Sequence, residues 1–258
     1  MLTPDKAESS RQFAERLENV LSQKLNILDD SLSETAYLSV SPATPFNLTI
    51  DESKRVGSAI GCDSFILIRS ATQRRSSSAK DEYYDAFAVI YVVSARTGRL
   101  VFWKLASFES PKPDKAAKLL VDAVPSLASE IADSLHAAIK SELTEPAPVA
   151  MEEVPDADSP AAKNFRAPIP YRRVKPEYTA QAGLYDVTAT VDLVVDTDEK
   201  GTILRTEIVR WAGYGLDESV DKTVRSMNWR PAERNGKSLP MRFLLRYNFK
   251  KIEKEKSN

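Results

Sequence analysis

The chain has 258 residues, 42% of them apolar and 28% charged, which is the composition of a folded protein and a length that suits two ordinary domains. Its 36 basic and 37 acidic side chains nearly cancel, so it lacks the charge excess by which a dedicated polyanion binder neutralises phosphate, and nucleic acid is not an expected partner. One cysteine and one histidine exclude an internal disulfide and a cysteine–histidine zinc cage, and no apolar run approaches the roughly 20 residues that span a bilayer.

The first residues lack the basic, then apolar, then small-residue order of a secretory signal, so the sequence reads as cytoplasmic or as lacking its leader. Phe13, Leu17, Leu21, Leu25 and Leu28 recur at helical spacing and predict one amphipathic helix. Residues 36–40 read as a short strand stopped by the two prolines that follow. Asp51 suits the cap of a second helix ending near Gly61, and residues 64–69 are apolar enough for a buried strand. Residues 72–81 read as a mobile polar loop. Residues 83–94 and 99–108 are β-rich runs joined by Ala95-Arg96-Thr97-Gly98, a hairpin signal. From Pro113 a helical pattern runs to Ile139, with Pro125 kinking it or starting a second helix. The predicted order is α-β-α-β-β-β-α, an α/β sandwich-type domain within an α+β chain.

Residues 144–163 hold four prolines and five carboxylates with almost no large apolar side chain, and predict an extended linker between domains at 1–143 and 164–250, with 251–258 a charged tail. Beyond the linker, residues 187–196 alternate with period two, placing odd positions on a core face and Thr188, Thr190, Asp192 and Asp196 outward. Asp198-Glu199-Lys200-Gly201 turns this strand into residues 203–209. Leu216, Val220, Val224 and Met227 form one helical stripe, with Asp217 and Glu218 at the positive N-terminal end. Trp229-Arg230-Pro231-Ala232 stops that helix. In the last strand Leu239, Met241, Phe243, Leu245, Tyr247 and Phe249 share one face, and Arg242, Leu244, Arg246 and Lys250 the other.

Catalytic and metal chemistry finds little support. His136 is an isolated helix residue, Cys62 reads as a small buried hydrophobe, and the turn at Asp196 to Gly201 lacks the distal glutamate of a calcium loop. Arg172, Arg173, Lys175, Arg225, Arg230 and Arg234 read as solvated arginines and lysine rather than a nucleic-acid face with Tyr171 and Trp229. A hydrolase using Asp81, Glu82 and Asp85 would need a deep cleft around them. No phosphate loop, nucleotide fingerprint or catalytic triad is present, so no cofactor, metal or catalytic residue is expected.

Two resemblances follow from motifs. Residues 164–250 resemble the C-terminal domain of TonB, a β-β-α-β module. Pro176-Glu177-Tyr178-Thr179-Ala180-Gln181-Ala182 stands for its pro-x-tyr-pro-x-x-ala segment, and Asp196 to Gly201 for its asp-x-x-gly hairpin. Gly213-Tyr214-Gly215-Leu216-Asp217 matches its gly-x-gly-x-asp helix start, and residues 229–237 its aromatic-x-pro-ala-x-x-asn-gly-lys turn. More weakly, residues 5–142 resemble the N-terminal domain of TolB and the CsgG/FlgO group of envelope lipoproteins, through the opening helix, the Val56 to Leu67 turn into a strand, and Val93 to Val101.

The TonB resemblance implies a non-enzymatic, periplasmic or envelope protein that takes an extended segment of an outer-membrane receptor beside its last strand. Arg242, Leu244, Arg246 and Asn248 would line the peptide side, with Lys175, Pro176 and Tyr178 as further partner-binding residues. Lys175 stands where the family has a receptor-contacting glutamine, and Thr179 replaces a proline. Arg242 and Arg246 as guards against self-pairing are one alternative reading, and a homodimer through the last strand, in an assembly scaffold, is another. A linker of about 20 residues spans at most roughly 70 Å, too short to reach an inner-membrane motor.

Overall fold

The computed structural model describes residues 1–77, 80–145 and 149–251 and divides into two compact units, Met1–Glu145 and Pro146–Asn258. Residues 78, 79 and 146–148, the side chains of Ser77, Lys80 and Asp81, and the tail from residue 252 onward lie outside the described residues. Both units mix helices with antiparallel sheet, as the sequence predicts for the class.

The first unit runs α1 (Glu8–Leu21), α2 (Asp30–Val40), α3 (Ile50–Ile60), β1 (Ser64–Ser77), β2 (Lys80–Ser94), β3 (Leu100–Ser110), α4 (Pro113–Asp122) and α5 (Val124–Thr144). The three strands form an antiparallel meander in the order β1-β2-β3. One face of it, with Ile66, Ile68, Ala88, Ile90 and Val92, packs on Phe13 and Leu17 of α1, Leu120 of α4, and Leu127 and Ile131 of α5. On the other, Phe46 meets Tyr91 at 5.8 Å between ring centroids, and Gly57 of α3 lies so close to Ala95 that an added Cβ would sit 2.2 Å from the Ala95 Cβ. Covering on both faces explains why β2 is apolar without alternation.

Several local expectations are corrected. Residues 36–40 are the last turns of α2, not a strand: the Asp29 carboxylate accepts the Leu32 N–H at 2.9 Å and caps a helix whose Tyr37 is buried. The first helix ends at Leu21, and Leu28 is exposed. Thr49, not Asp51, caps α3, through a reciprocal capping box with Glu52. Residues 72–77 continue β1, whose register pairs Arg74 with Tyr84 and Arg75 with Tyr83. Pro125 begins α5 rather than kinking one long helix, because the first helical turn does not need its N–H. The observed order is therefore α-α-α-β-β-β-α-α.

The second unit carries β4 (Phe165–Arg166), β5 (Ile169–Pro170), α6 (Ala180–Leu184), β6 (Ala189–Thr197), β7 (Ile203–Arg210), α7 (Leu216–Ser226), β8 (Trp229–Arg230), β9 (Ala232–Arg234), β10 (Lys237–Leu239) and β11 (Met241–Phe249). Its main sheet has the order β11-β6-β7, all antiparallel, so β11 is an edge. Val191, Leu193 and Val195 of β6, Leu216, Val220 and Val224 of α7, and Met241 and Phe243 of β11 are buried, and the Trp229 and Phe243 rings lie 5.0 Å apart. Short pieces β10-β9-β4 and β5-β8 make two smaller sheets. The acidic, proline-rich stretch is not wholly extended: it holds a 3-10 turn at Pro160–Ala162 and a bridge from Glu153 to Arg242.

Candidate functional site

The alternation that buries Met241, Phe243 and Phe249 sends the side chains of Arg242, Leu244, Arg246 and Asn248 to the opposite face. Directly across on β6 stand Asp196 for Arg242 and Asp192 for Arg246. Both arginines make forked pairs: Arg242 donates through Nε and a terminal nitrogen at 2.7 Å each, and Arg246 at 2.7 and 2.9 Å. Arg210 of β7 donates to Asp192 as well, at 3.1 Å. Burial works to raise the Asp192 carboxyl, but the hydrogen bonds and charges of Arg246 and Arg210 leave it below the ordinary aspartate value. The two aspartates, predicted to face outward, lie on the predicted face yet are buried under these guanidinium groups. Their common spacing of four residues is matched by Arg242 and Arg246, but the pairing itself is set by the register of β11 on β6.

Backbone geometry along β11 decides what the edge offers. Arg242 turns both its N–H and its C=O away from β6, and an antiparallel strand repeats this every second residue, so Leu244, Arg246 and Asn248 also direct their backbone groups outward. Arg242 is engaged there: its N–H donates to the Glu152 carbonyl at 2.8 Å, and its carbonyl accepts the Val154 N–H at 3.0 Å. The outward groups of Leu244, Arg246 and Asn248 meet no hydrogen-bond partner among the described residues. Leu244 is 53% exposed, and the Arg246 side chain keeps 56% of its surface despite its ion pair. The Asn248 side chain accepts from the Thr190 hydroxyl at 2.8 Å. The cover over Arg242 was not read from the sequence, since residues 152–154 carry no strand pattern.

The remaining predicted partner residues lie elsewhere. Tyr178 stacks on Phe249, at the end of the core face, and its hydroxyl donates to the carbonyls of Val187 at 2.8 Å and Ala182 at 3.1 Å. Pro176 is buried and Lys175 exposed. Thr179, standing where the resembling family has proline, caps α6 through the Ala182 N–H at 3.0 Å and donates to the Tyr214 carbonyl at 2.6 Å. Tyr178 meets the end of β11 from its core side, away from the face that carries Arg242, Leu244, Arg246 and Asn248.

No group of three or more histidine, cysteine, aspartate or glutamate residues among the described ones is arranged to hold a metal ion. At the Asp198 turn the carboxylate accepts the N–H groups of Lys200 and Thr202, at 2.8 and 2.7 Å. Asp85 is buried with Arg75 at 2.9 Å and Ser107 at 2.6 Å, and Glu82 pairs with Arg74 at 2.6 Å, so neither stands free in a cleft. Cys62 is half-buried, and burial pushes its thiol up. Of the basic residues considered as a nucleic-acid face, Arg225 pairs with Asp221, Arg234 with Glu152, and Arg230 lies over the Tyr171 ring.

Asp217, in the first turn of α7, accepts the amides of Ala212 and Gly213 at 2.9 and 2.8 Å. Burial pushes its carboxyl up to about 7, against those two amides, which lower it. The folded state therefore holds this proton more tightly than the unfolded chain, and the group's stabilising contribution is fullest below about pH 4 and lost as pH rises through 7. Between pH 4 and pH 7.5 the urea midpoint should decline more steeply in the wild type than in Asp217→Asn. Parallel profiles would show that Asp217 ionises normally in the fold.

The family comparison falls on the second unit. Residues 174–250 match the family model described as Gram-negative bacterial TonB protein C-terminal. No curated protein matches the chain. Among solved structures it is similar to the solution NMR structure of the Pseudomonas aeruginosa TonB C-terminal domain, at 19% identity and TM-score 0.30, over 41% of this chain and 98% of that one. It is also similar to the crystal structure of lipoprotein GNA1162 from Neisseria meningitidis, at 14% identity and TM-score 0.34, over 51% and 91% of the two chains. A hypothetical protein from Chlamydia trachomatis, CT253, matches at 10% identity and TM-score 0.30, over 54% and 90%. On the family match, the second unit carries a TonB-like C-terminal domain. No helix among the described residues is long and apolar enough to cross a membrane.

Proposed function

We propose that this protein is a TonB-family adaptor of the cell envelope, non-enzymatic, that takes an extended peptide or outer-membrane receptor segment by β-strand addition at β11. One observation carries the reading: an edge strand in the matched domain leaves the backbone groups of Leu244, Arg246 and Asn248 unpaired among the described residues. A guest strand gains affinity by hydrogen bonding to that row, and its side chains meet Leu244 and Arg246 on one face and Leu245 and Tyr247 on the other. In this reading the fork between Arg246 and Asp192 fixes the guanidinium as part of the guest's surface. Tyr178 and Pro176 hold the end of β11 in place, Lys175 offers a charge to the guest, and the Met1–Glu145 unit docks on a second envelope protein.

The test is a titration of the isotopically labelled chain with a panel of receptor-plug peptides. The amides of Leu244, Arg246 and Asn248 should shift together and gain protection from exchange. A panel that leaves these three amides unmoved would overturn the reading, and protection that grows with protein concentration alone would assign the edge to self-association instead.

A further inference from the structure

The chain itself displays one segment that this edge accepts. Residues 152–154 run parallel to β11, bridged from Glu153 to Arg242. They make the two backbone hydrogen bonds of a parallel pair, and the Glu152 carboxylate reaches the Arg234 guanidinium at 2.5 Å. Continued in register, the pairing would bring the Val154 carbonyl and the Asp156 N–H to Leu244. It stops because Pro155 is followed by a turn in which the Asp156 carbonyl accepts both the N–H and the hydroxyl of Ser159, at 2.9 and 2.7 Å. The segment therefore covers one outward position of β11 and leaves three.

We infer that residues 152–154 are a resident occupant of the guest-binding edge, which limits a short guest to Leu244, Arg246 and Asn248 and gives way to a longer, acidic, extended guest. This rests on the binding reading above. The occupant is held by a short contact, two backbone bonds and one half-exposed ion pair, whereas a guest reaching from Arg242 to Asn248 pairs with all four outward positions. Displacement also uncovers Arg234, and a carboxylate on the guest restores the pair that Glu152 gave up, which is why the longer guest is acidic.

The experiment measures amide exchange in the full chain, with a peptide of residues 149–155 as the probe. In the wild type the Arg242 amide should exchange about tenfold more slowly than that of Leu244. Combining Val154→Pro, which removes the donor to the Arg242 carbonyl, with Glu152→Lys should bring Arg242 to the rate of Leu244. Phe243, bonded to β6, should be unchanged and so report an intact sheet. Added peptide should then restore protection of Arg242 in the double variant, and a peptide carrying Glu152→Lys should not. Equal exchange of Arg242 and Leu244 in the wild type would overturn the inference, as would a peptide that protects wild type and variant alike. A receptor segment that binds while Arg242 proves unprotected removes the resident occupant and leaves the binding reading standing. A protected Arg242 with no receptor segment bound does the reverse.

Discussion

Gly201→Ala should lower the melting temperature of the second unit by more than about 10 °C, at about 4–8 °C per kcal/mol for a domain near this size. Gly201 sits at φ +82°, where a side chain costs roughly 1–2 kcal/mol, and an added Cβ would fall 2.1 Å from the Trp229 carbonyl oxygen and 2.9 Å from its carbon. Both atoms are backbone, so they cannot swing aside as a side-chain tip would. The hairpin between β6 and β7 and the chain at Trp229 must part, which loosens the packing of Trp229 on Phe243. Gly236→Ala supplies the control: φ is +78° there, but no atom lies within 4 Å of the added carbon. The difference between the two variants isolates the close approach from the dihedral cost, and equal losses in a thermal melt would refute the contact as the reason for glycine at 201.

Leu244→Pro should sharply weaken guest binding while leaving the fold nearly untouched. The Leu244 N–H points away from β6, so a proline there removes no bond within the sheet, and edge strands tolerate proline when the missing N–H faces solvent. It does remove the first donor of the open row and puts a ring where the guest backbone would lie. The loss of one bond and of close approach together should weaken binding by more than about tenfold, the ratio that corresponds to about 1.4 kcal/mol. Leu245→Pro, one residue on, should behave oppositely and unfold the unit, because that N–H belongs to the β6 ladder. Calorimetry of binding and a melt of each variant separate the two. A Leu244→Pro protein that binds a receptor segment with wild-type affinity would exclude backbone pairing at this position.

How far these features were legible in the sequence differs by element. The last strand was readable because its period of two is local: Met241, Phe243, Leu245, Tyr247 and Phe249 show a buried face without reference to any other segment. So was α7, from Leu216, Val220 and Val224. Residues 36–40 misled, because five residues of mixed polarity carry no period and the helix there depends on a cap at Asp29, seven residues upstream. The arginines of β11 were recognised as belonging to the exposed face, but their ties to Asp192 and Asp196 depend on which strand neighbours β11 and in what register.

The linear order of residues by itself determined the mixed class of the protein, the TonB-like module, the face each residue of β11 takes, and the turn that joins β6 to β7. These follow from side-chain periodicity and turn stereochemistry, which act over a few neighbouring bonds. Tertiary structure alone decided that Asp192 and Asp196 are buried beneath arginines from adjacent strands, and that a proline-rich acidic stretch closes one position of the edge while three stay open. Those outcomes join segments about 20 to 90 residues apart, and they are set by hydrogen-bond register between strands, a quantity with no local signature in the chain.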